Sequence, residues 1–149
     1  MKKLLLVCVL FFAALAMNAQ SFVDLGLPSG TKWKTQNQQG FYTYDSAISS
    51  FGDRIPTMEQ WEELQIECSW NWTGGGYLIT GPNGNSITLP AAGYSRNGNV
   101  ESSGVIGIYW AYEYADSYLA WNFWFNYNMI MVNDPIERTE RLSVRLVQN

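Results

Sequence analysis

Residues 53–64 read DRIPTMEQWEEL, and the rest of the chain is read outward from them. Thr57 stands just before a helix-like run, and Gln60 follows three residues later, which is the spacing of a capping box. In that box the Thr57 hydroxyl accepts the amide proton of Gln60, and the Gln60 side chain reaches back to the Thr57 amide. Pro56 disfavours helical geometry at Ile55, so the start is fixed from both sides. Glu59, Glu62 and Glu63 fall in the first turns, where carboxylates favour the positive end of the helix dipole. Met58, Trp61, Leu64 and, more loosely, Cys68 share one face at helical spacing. The expectation is a helix over residues 58–68 with that face packed on a core.

On the N-terminal side, residues 22–27 and 31–35 flank the turn cluster Pro28-Ser29-Gly30. Thr31-Lys32-Trp33-Lys34-Thr35 alternates cleanly, which predicts a β-hairpin with Trp33 on the buried side. Residues 36–40 read as a polar loop. Residues 45–51 read as a short helix capped by Asp45 and stopped by Gly52. The first residues form a different class. Two lysines, an apolar run over 4–16 and small residues up to Ala19 make the pattern of a secretory signal peptide over residues 1–19. The mature chain is then residues 20–149, one domain with no membrane insertion expected after cleavage.

On the C-terminal side, Trp70 and Trp72 alternate before Gly74-Gly75-Gly76, a flexible or tight connection. Residues 77–80 and 86–89 flank Gly81-Pro82-Asn83-Gly84-Asn85, a second hairpin signal. Residues 90–104 are rich in Gly, Asn and Ser and read as a long ordered loop. Extended patterns follow over 109–114, 118–125 and 129–133, with Asn126-Tyr127-Asn128 as a turn between the last two. The chain closes on 142–147, with Val144 and Leu146 on one side and Ser143, Arg145 and Val147 on the other. Two short helices among short, mostly antiparallel strands make the class α+β.

Composition excludes several functions. Lys2 and Lys3 fall in the leader, so seven of the nine basic residues remain beside thirteen acidic ones, a net charge near −6. Nucleic acid and anionic lipid need a basic face and are not expected as partners. The chain has no histidine, which removes Ser-His-Asp, Cys-His and histidine–metal chemistry. No cofactor, metal ligand set or catalytic residue is assigned. Cys68 is the single cysteine of the mature chain, so no internal disulfide can form, and it reads as a core thiol. Glu59, Glu62, Glu63 and Glu67 read as a solvated helix face. Asp45-Ser46-Ala47 resembles a bacterial O-glycosylation signal, with a helix cap as the preferred reading. Arg54 and Arg145 are expected to tie loop carbonyls together through their planar forks.

The most informative stretch is residues 109–127, in which ten of nineteen side chains are aromatic. A strand sends alternate residues to opposite faces, so one core cannot take them all. Phe123 and Phe125 are assigned inward, with Ile130 and Val132 as partners from the next strand. Asn122, Trp124 and Asn126 are then outward, as are Tyr112 and Tyr114 if Trp110 is core, with Met129 and Met131 beside them. Recognition surfaces use this mixture, because rings give contact area at low entropic cost and Asn supplies adaptable hydrogen bonds. Tyr112, Tyr114, Trp121, Asn122, Trp124 and Asn126 are the candidate contacts for a glycan or a surface protein. The competing reading is that loops such as 90–104 cover these side chains.

VDLGLPSGTKW, DRIPTMEQWEEL, GYLITGPNGNSITLPAAGY, IYW and SVRLV occur here in an order that resembles the Fibrobacter succinogenes major paralogous domain family of secreted Bacteroidetes proteins. RIPTMEQWE also resembles a segment of formylglycine-generating-enzyme-like domains. Both resemblances imply a C-type-lectin-like fold in which the chain ends share a sheet, residues 22–25 pairing with 143–147. The chain departs from the relatives with defined chemistry. One cysteine stands where the enzymes look to a pair, and Val132-Asn133-Asp134 has no Glu-Pro-Asn partner for a lectin calcium site. What the resemblance implies is a secreted, non-enzymatic recognition or adhesion domain. A structural assembly subunit and a degenerate formylglycine-generating-type enzyme are the alternatives.

Overall fold

The computed structural model describes residues 21–149. The signal-peptide assignment lies outside the described residues. Two short helices stand among three small antiparallel sheets and a separate hairpin. The α+β class expected from the sequence is therefore observed.

Helix α1 spans Tyr44–Phe51 and helix α2 spans Met58–Glu67, with a single 3-10 turn, Gly52–Arg54, between them. The capping box of α2 forms as its spacing demands. Gln60 N donates to Thr57 Oγ1 at 3.1 Å, and Thr57 N donates to Gln60 Oε1 at 2.9 Å. The predicted face is realised, with Trp61 and Leu64 fully buried, but Cys68 adopts extended backbone and ends the helix. Helix α1 starts one residue before Asp45. Its cap is Thr43, whose hydroxyl accepts from Ser46 N, and Asp45 lies in the first turn. Thr43 and Asp45 are both good cap residues, and only the hydrogen bond decides between them. Gly52 stops α1 as expected, at φ 54°, a conformation that carries little penalty only without a Cβ.

Strands β1 (Phe22–Asp24) and β2 (Lys32–Lys34) form the expected hairpin, with Trp33 opposite Val23 and fully buried. Glu63 of α2 holds the turn of this hairpin, accepting from Ser29 N at 2.9 Å and Ser29 Oγ at 2.6 Å. The last strand, β11 (Val147–Gln148), pairs with β2 rather than with β1. The direct pairing of 22–25 with 143–147 is thus corrected. The two chain ends share a sheet, but Trp33 stands between Val23 and Val147.

Strands β3 (Ser69–Trp72), β4 (Gly76–Thr80) and β5 (Ser86–Pro90) form a second sheet, with β4 and β5 as the predicted hairpin. The loop expected over 90–104 contains a further hairpin, β6 (Tyr94–Arg96) and β7 (Asn99–Glu101). Its two turn residues, Asn97 and Gly98, have φ of 51° and 79°, the signature of a type I′ connection.

Strands β8 (Gly107–Tyr114), β9 (Leu119–Asn126) and β10 (Met129–Glu137) build the central sheet in the order β10-β9-β8. Ile130 faces Phe125 and Val132 faces Phe123 across β9 and β10, as the alternation predicted. Gly107 sits under the Phe125 ring, where an added Cβ would fall 2.0 Å from Cζ. Both faces of this sheet are covered. One face carries Tyr109, Ala111, Phe123 and Phe125 in a core with Trp33, Trp61, Leu64 and the β4–β5 hairpin. The other carries Ile108, Trp110 and Ala120 in a second core with Tyr44, Ala47, Leu142, Val144 and Leu146. This second core is why so many aromatic residues can be packed at once. The parity of the closing segment follows it, since Val144 and Leu146 enter the second core and Val147 the first.

Candidate functional site

The six candidate contacts do not form one surface. Tyr112 and Tyr114 are outward, with 41% and 65% of their surface exposed. They lie where β8 bulges, since Trp110 pairs with Asn122 but Tyr114 pairs with Ala120, placing three β8 residues opposite one of β9. Such a bulge bends the strand and re-aims its side chains. The Tyr112 backbone is gripped from two sides. Its N–H donates to Pro56 O at 2.9 Å, and its carbonyl accepts from the Tyr44 hydroxyl at 2.5 Å. Next to it, Glu113 Oε2 accepts from Met58 N at 2.9 Å, at the start of α2.

Between these tyrosines and α1 runs a groove of about 510 Å³. Tyr44, Asp45, Ile48 and Ser49 form the helix side, and Tyr112, Glu113, Tyr114 and Arg138 the strand side. Arg138 is the keystone. Its guanidinium forms an ion pair with Asp45, and Nη1 donates to Ser117 O at 3.3 Å. The guanidinium carbon also lies 5.1 Å from the Tyr44 ring centre and 5.8 Å from that of Tyr114. Cation–π contact of this kind holds both rings in place. Burial lifts the Tyr44 hydroxyl to about 12 against the lowering pull of Arg138, so it remains a donor to the Tyr112 carbonyl at neutral pH.

Of the other four candidates, Asn122 is corrected and three are partly buried. Asn122, expected outward, is fully buried, with Nδ2 donating to Asp134 O at 3.0 Å, because the second core covers its face. Trp124 is half-buried against that same core. Trp121, on the face of Phe123 and Phe125, is half-buried against the first core. Asn126 is occupied in closing the turn, where its Oδ1 accepts from Asn128 N at 3.0 Å and Met129 N at 2.9 Å. Met129 and Met131 are exposed as expected, at 52% and 36%.

Sequence reasoning missed Tyr44, Ile48 and Arg138. Tyr44 and Ile48 are four apart and therefore neighbours on one helix face, a signal hidden by starting α1 at Asp45. Nothing local in the sequence marks Arg138, which meets Tyr44 only in the folded chain.

Arg145 fulfils the expectation of a fork tying carbonyls. It is fully buried, and donates from Nη1 to Lys34 O at 2.8 Å, from Nη2 to Thr88 O at 2.7 Å and from Nε to Asn37 Oδ1 at 2.9 Å. Arg54 does not; it is exposed, with its guanidinium 6.0 Å from the Phe51 ring centre. Cys68 is half-buried against the first core, and burial, aided by Glu63 and Glu67, pushes its thiol up to about 11. The thiolate is the reactive form, so a thiol raised from 9 to about 11 has roughly a hundredfold less of it at pH 8. Disulfide-reagent labelling of the folded protein at pH 8 should therefore run tens to a hundred times slower than in urea, accelerating above about pH 10. Equal rates in the two states would contradict this. Among the described residues, no group of three or more His, Cys, Asp or Glu side chains is arranged to hold a metal ion.

Residues 70–147, just over half of the chain, match the family model described as Domain of unknown function (DUF8237), and the chain belongs to this family. No curated protein and no solved structure matches it. The matched span runs from β3 to β11 and contains Tyr112, Tyr114 and Arg138, whereas Tyr44 and α1 precede it.

Proposed function

We propose that this protein is a secreted or cell-surface recognition domain of C-type-lectin-like fold, without catalytic activity, that binds a glycan or a surface protein in the groove between α1 and β8. The observation that carries the reading is the pair of exposed rings, Tyr112 and Tyr114, beside a guanidinium already fixed by Asp45. Large apolar side chains left in the open at a concave site mark interaction surfaces more often than idle ones. Tyr114 offers a ring face, and Asp45, Ser49 and Glu113 offer acceptors and a hydroxyl along the same groove. That combination suits the apolar faces and hydroxyls of a sugar. The resemblance to the Fibrobacter succinogenes major paralogous domain family supports export and the lectin-like fold. Against the enzyme alternative stand the absence of histidine from the sequence and the raised thiol of Cys68.

A second reading, a subunit of a surface assembly, is favoured by the end of the β9–β10 hairpin. Tyr127, Met129 and Met131 are exposed there at 67%, 52% and 36%. Self-association at micromolar concentration in sedimentation, lost in Met129→Ser/Met131→Ser, would support it.

The recognition reading is tested by screening the purified protein against glycan and matrix-protein arrays, with and without calcium. A ligand whose signal falls in Tyr112→Ala/Tyr114→Ala is the expected result. The double variant should stay within about 1 kcal/mol of wild-type stability, because neither side chain belongs to a core. Binding that survives it would move the site elsewhere.

A further inference from the structure

The β8 bulge does more than expose two rings. In a regular strand successive side chains part to opposite faces, yet Tyr112, Glu113 and Tyr114 all line the groove beside α1. A carboxylate is thereby set between two tyrosines, and a second one, Asp45, stands on the helix wall. Each is held by one oxygen and free at the other. Glu113 Oε2 accepts from Met58 N at 2.9 Å, and Asp45 Oδ1 takes the Arg138 guanidinium. Among the described residues no donor reaches Glu113 Oε1 or Asp45 Oδ2. An acceptor anchored in this way is preorganised for a ligand's donors, since binding them costs little further side-chain ordering.

Charge narrows the ligand further. Arg138 is the one cation among the residues lining the groove, and its guanidinium is already engaged. Nε and Nη2 donate to Asp45, and Nη1 lies 3.5 Å from Asp116 O and 3.3 Å from Ser117 O. Two carboxylates against one guanidinium leave the groove negative, so an anionic ligand meets repulsion with no unpaired cation to offset it. A cationic ligand comes beside the like charge of Arg138, which already takes Asp45 and lies over the Tyr44 and Tyr114 rings. A neutral ligand rich in hydroxyls meets neither penalty. Its hydroxyls donate to the two free carboxylate oxygens, bonds strengthened by the acceptor's charge, while its C–H face packs on the exposed rings.

We propose that the groove takes an uncharged sugar, whose hydroxyls donate to Glu113 Oε1 and Asp45 Oδ2, and that Glu113 is the residue that sets this specificity. The inference rests on the groove being a recognition site and narrows its ligand from a glycan or a protein to one class. Glu113 acts twice. Its free oxygen accepts from the sugar, and its charge turns away acidic sugars that offer the same ring and hydroxyls.

The test is an amide NMR titration of the purified protein with oligomers of galactose and of glucose, beside oligomers of galacturonate and of glucosamine. The charged pair keeps the ring stereochemistry and exchanges one group for a carboxylate or an ammonium. Saturable shifts at residues 45–49 and 112–114 from a neutral oligomer are expected, with a dissociation constant on the order of millimolar and at least about tenfold weaker binding of its charged counterpart. Glu113→Gln keeps the Met58 bond through its amide carbonyl and puts an NH₂ donor where the free oxygen was. It should weaken the neutral oligomer about tenfold and improve the galacturonate one, a reversal that a merely structural role would not produce. Tyr114→Ala separates this inference from the reading beneath it. A charged oligomer bound as tightly as its neutral counterpart, with an affinity that falls in Tyr114→Ala, would overturn the neutral-sugar specificity and leave the groove standing. Neutral binding that ignores Tyr114→Ala would overturn both. No saturable shift from either neutral oligomer would overturn the sugar and leave the groove to a protein.

Discussion

Replacing Trp61 with alanine should cost about 3–5 kcal/mol of stability, the range for removing a large buried aromatic side chain. Trp61 is fully buried, and its ring stacks on Phe123 with centres 4.6 Å apart and planes 5° from parallel. Trp33 and Tyr109 tilt against it at 4.8 Å and 5.6 Å. Its indole N–H points to the Trp110 carbonyl at 3.4 Å, so the capped helix is also tied to the β8 backbone. Three aromatic partners cannot collapse into the space that the indole leaves. A domain of this size has about 5–15 kcal/mol in total, so the variant would lose roughly a fifth or more. Urea unfolding checks this through a lowered midpoint at unchanged slope. A loss under about 1 kcal/mol would mean that the packing around α2 is not what is described here.

The second large effect is at Arg145. Methionine there would fill most of the space, but would leave Lys34 O, Thr88 O and Asn37 Oδ1 without these donors. Each dry acceptor costs about 1–3 kcal/mol, partly offset because a charge is no longer buried without a counter-ion. The environment already disfavours that charge, since burial pulls the guanidinium down to about 10. A net loss of roughly 2–3 kcal/mol is expected for Arg145→Met. Arg145→Lys should be at least as damaging, because an ammonium keeps the desolvation cost and cannot reach three oxygens in different directions. Urea midpoints of the two variants check the order. A lysine variant as stable as wild type would show that the fork is dispensable.

The parts of the fold legible in the sequence are those set by neighbours along the chain. Thr57 and Gln60 define a helix start without help from the rest of the protein, and both hydrogen bonds of the box are present. Alternation placed Trp33, Phe123 and Phe125 inside. Alternation tells which residues share a face, however, and not what covers it. The second core is assembled from Tyr44 and Ala47 of α1 and from Leu142, Val144 and Leu146 near the other end of the chain. No local pattern announces that meeting, so the strand pattern predicts an outward Asn122 where the folded chain buries it. The β6–β7 hairpin was missed for a different reason. Asn97-Gly98 is a strong turn signal, but its flanking strands are three residues long and largely polar. Of the candidate site, Tyr112 and Tyr114 share the strand parity of the buried Trp110, so alternation alone does not separate them from the core, and their exposure goes with the β8 bulge. Arg138, which holds the groove together, could be found only from the folded chain.

The groove is tested most directly by calorimetric titration of the best array ligand into wild type and Tyr114→Ala, with urea unfolding of both samples. Loss of an aromatic contact at the centre of a site commonly costs 1–2 kcal/mol or more, so affinity should fall about tenfold or further while the unfolding midpoint barely moves. Undiminished affinity in Tyr114→Ala would contradict recognition through this groove and turn attention to the exposed end of the β9–β10 hairpin.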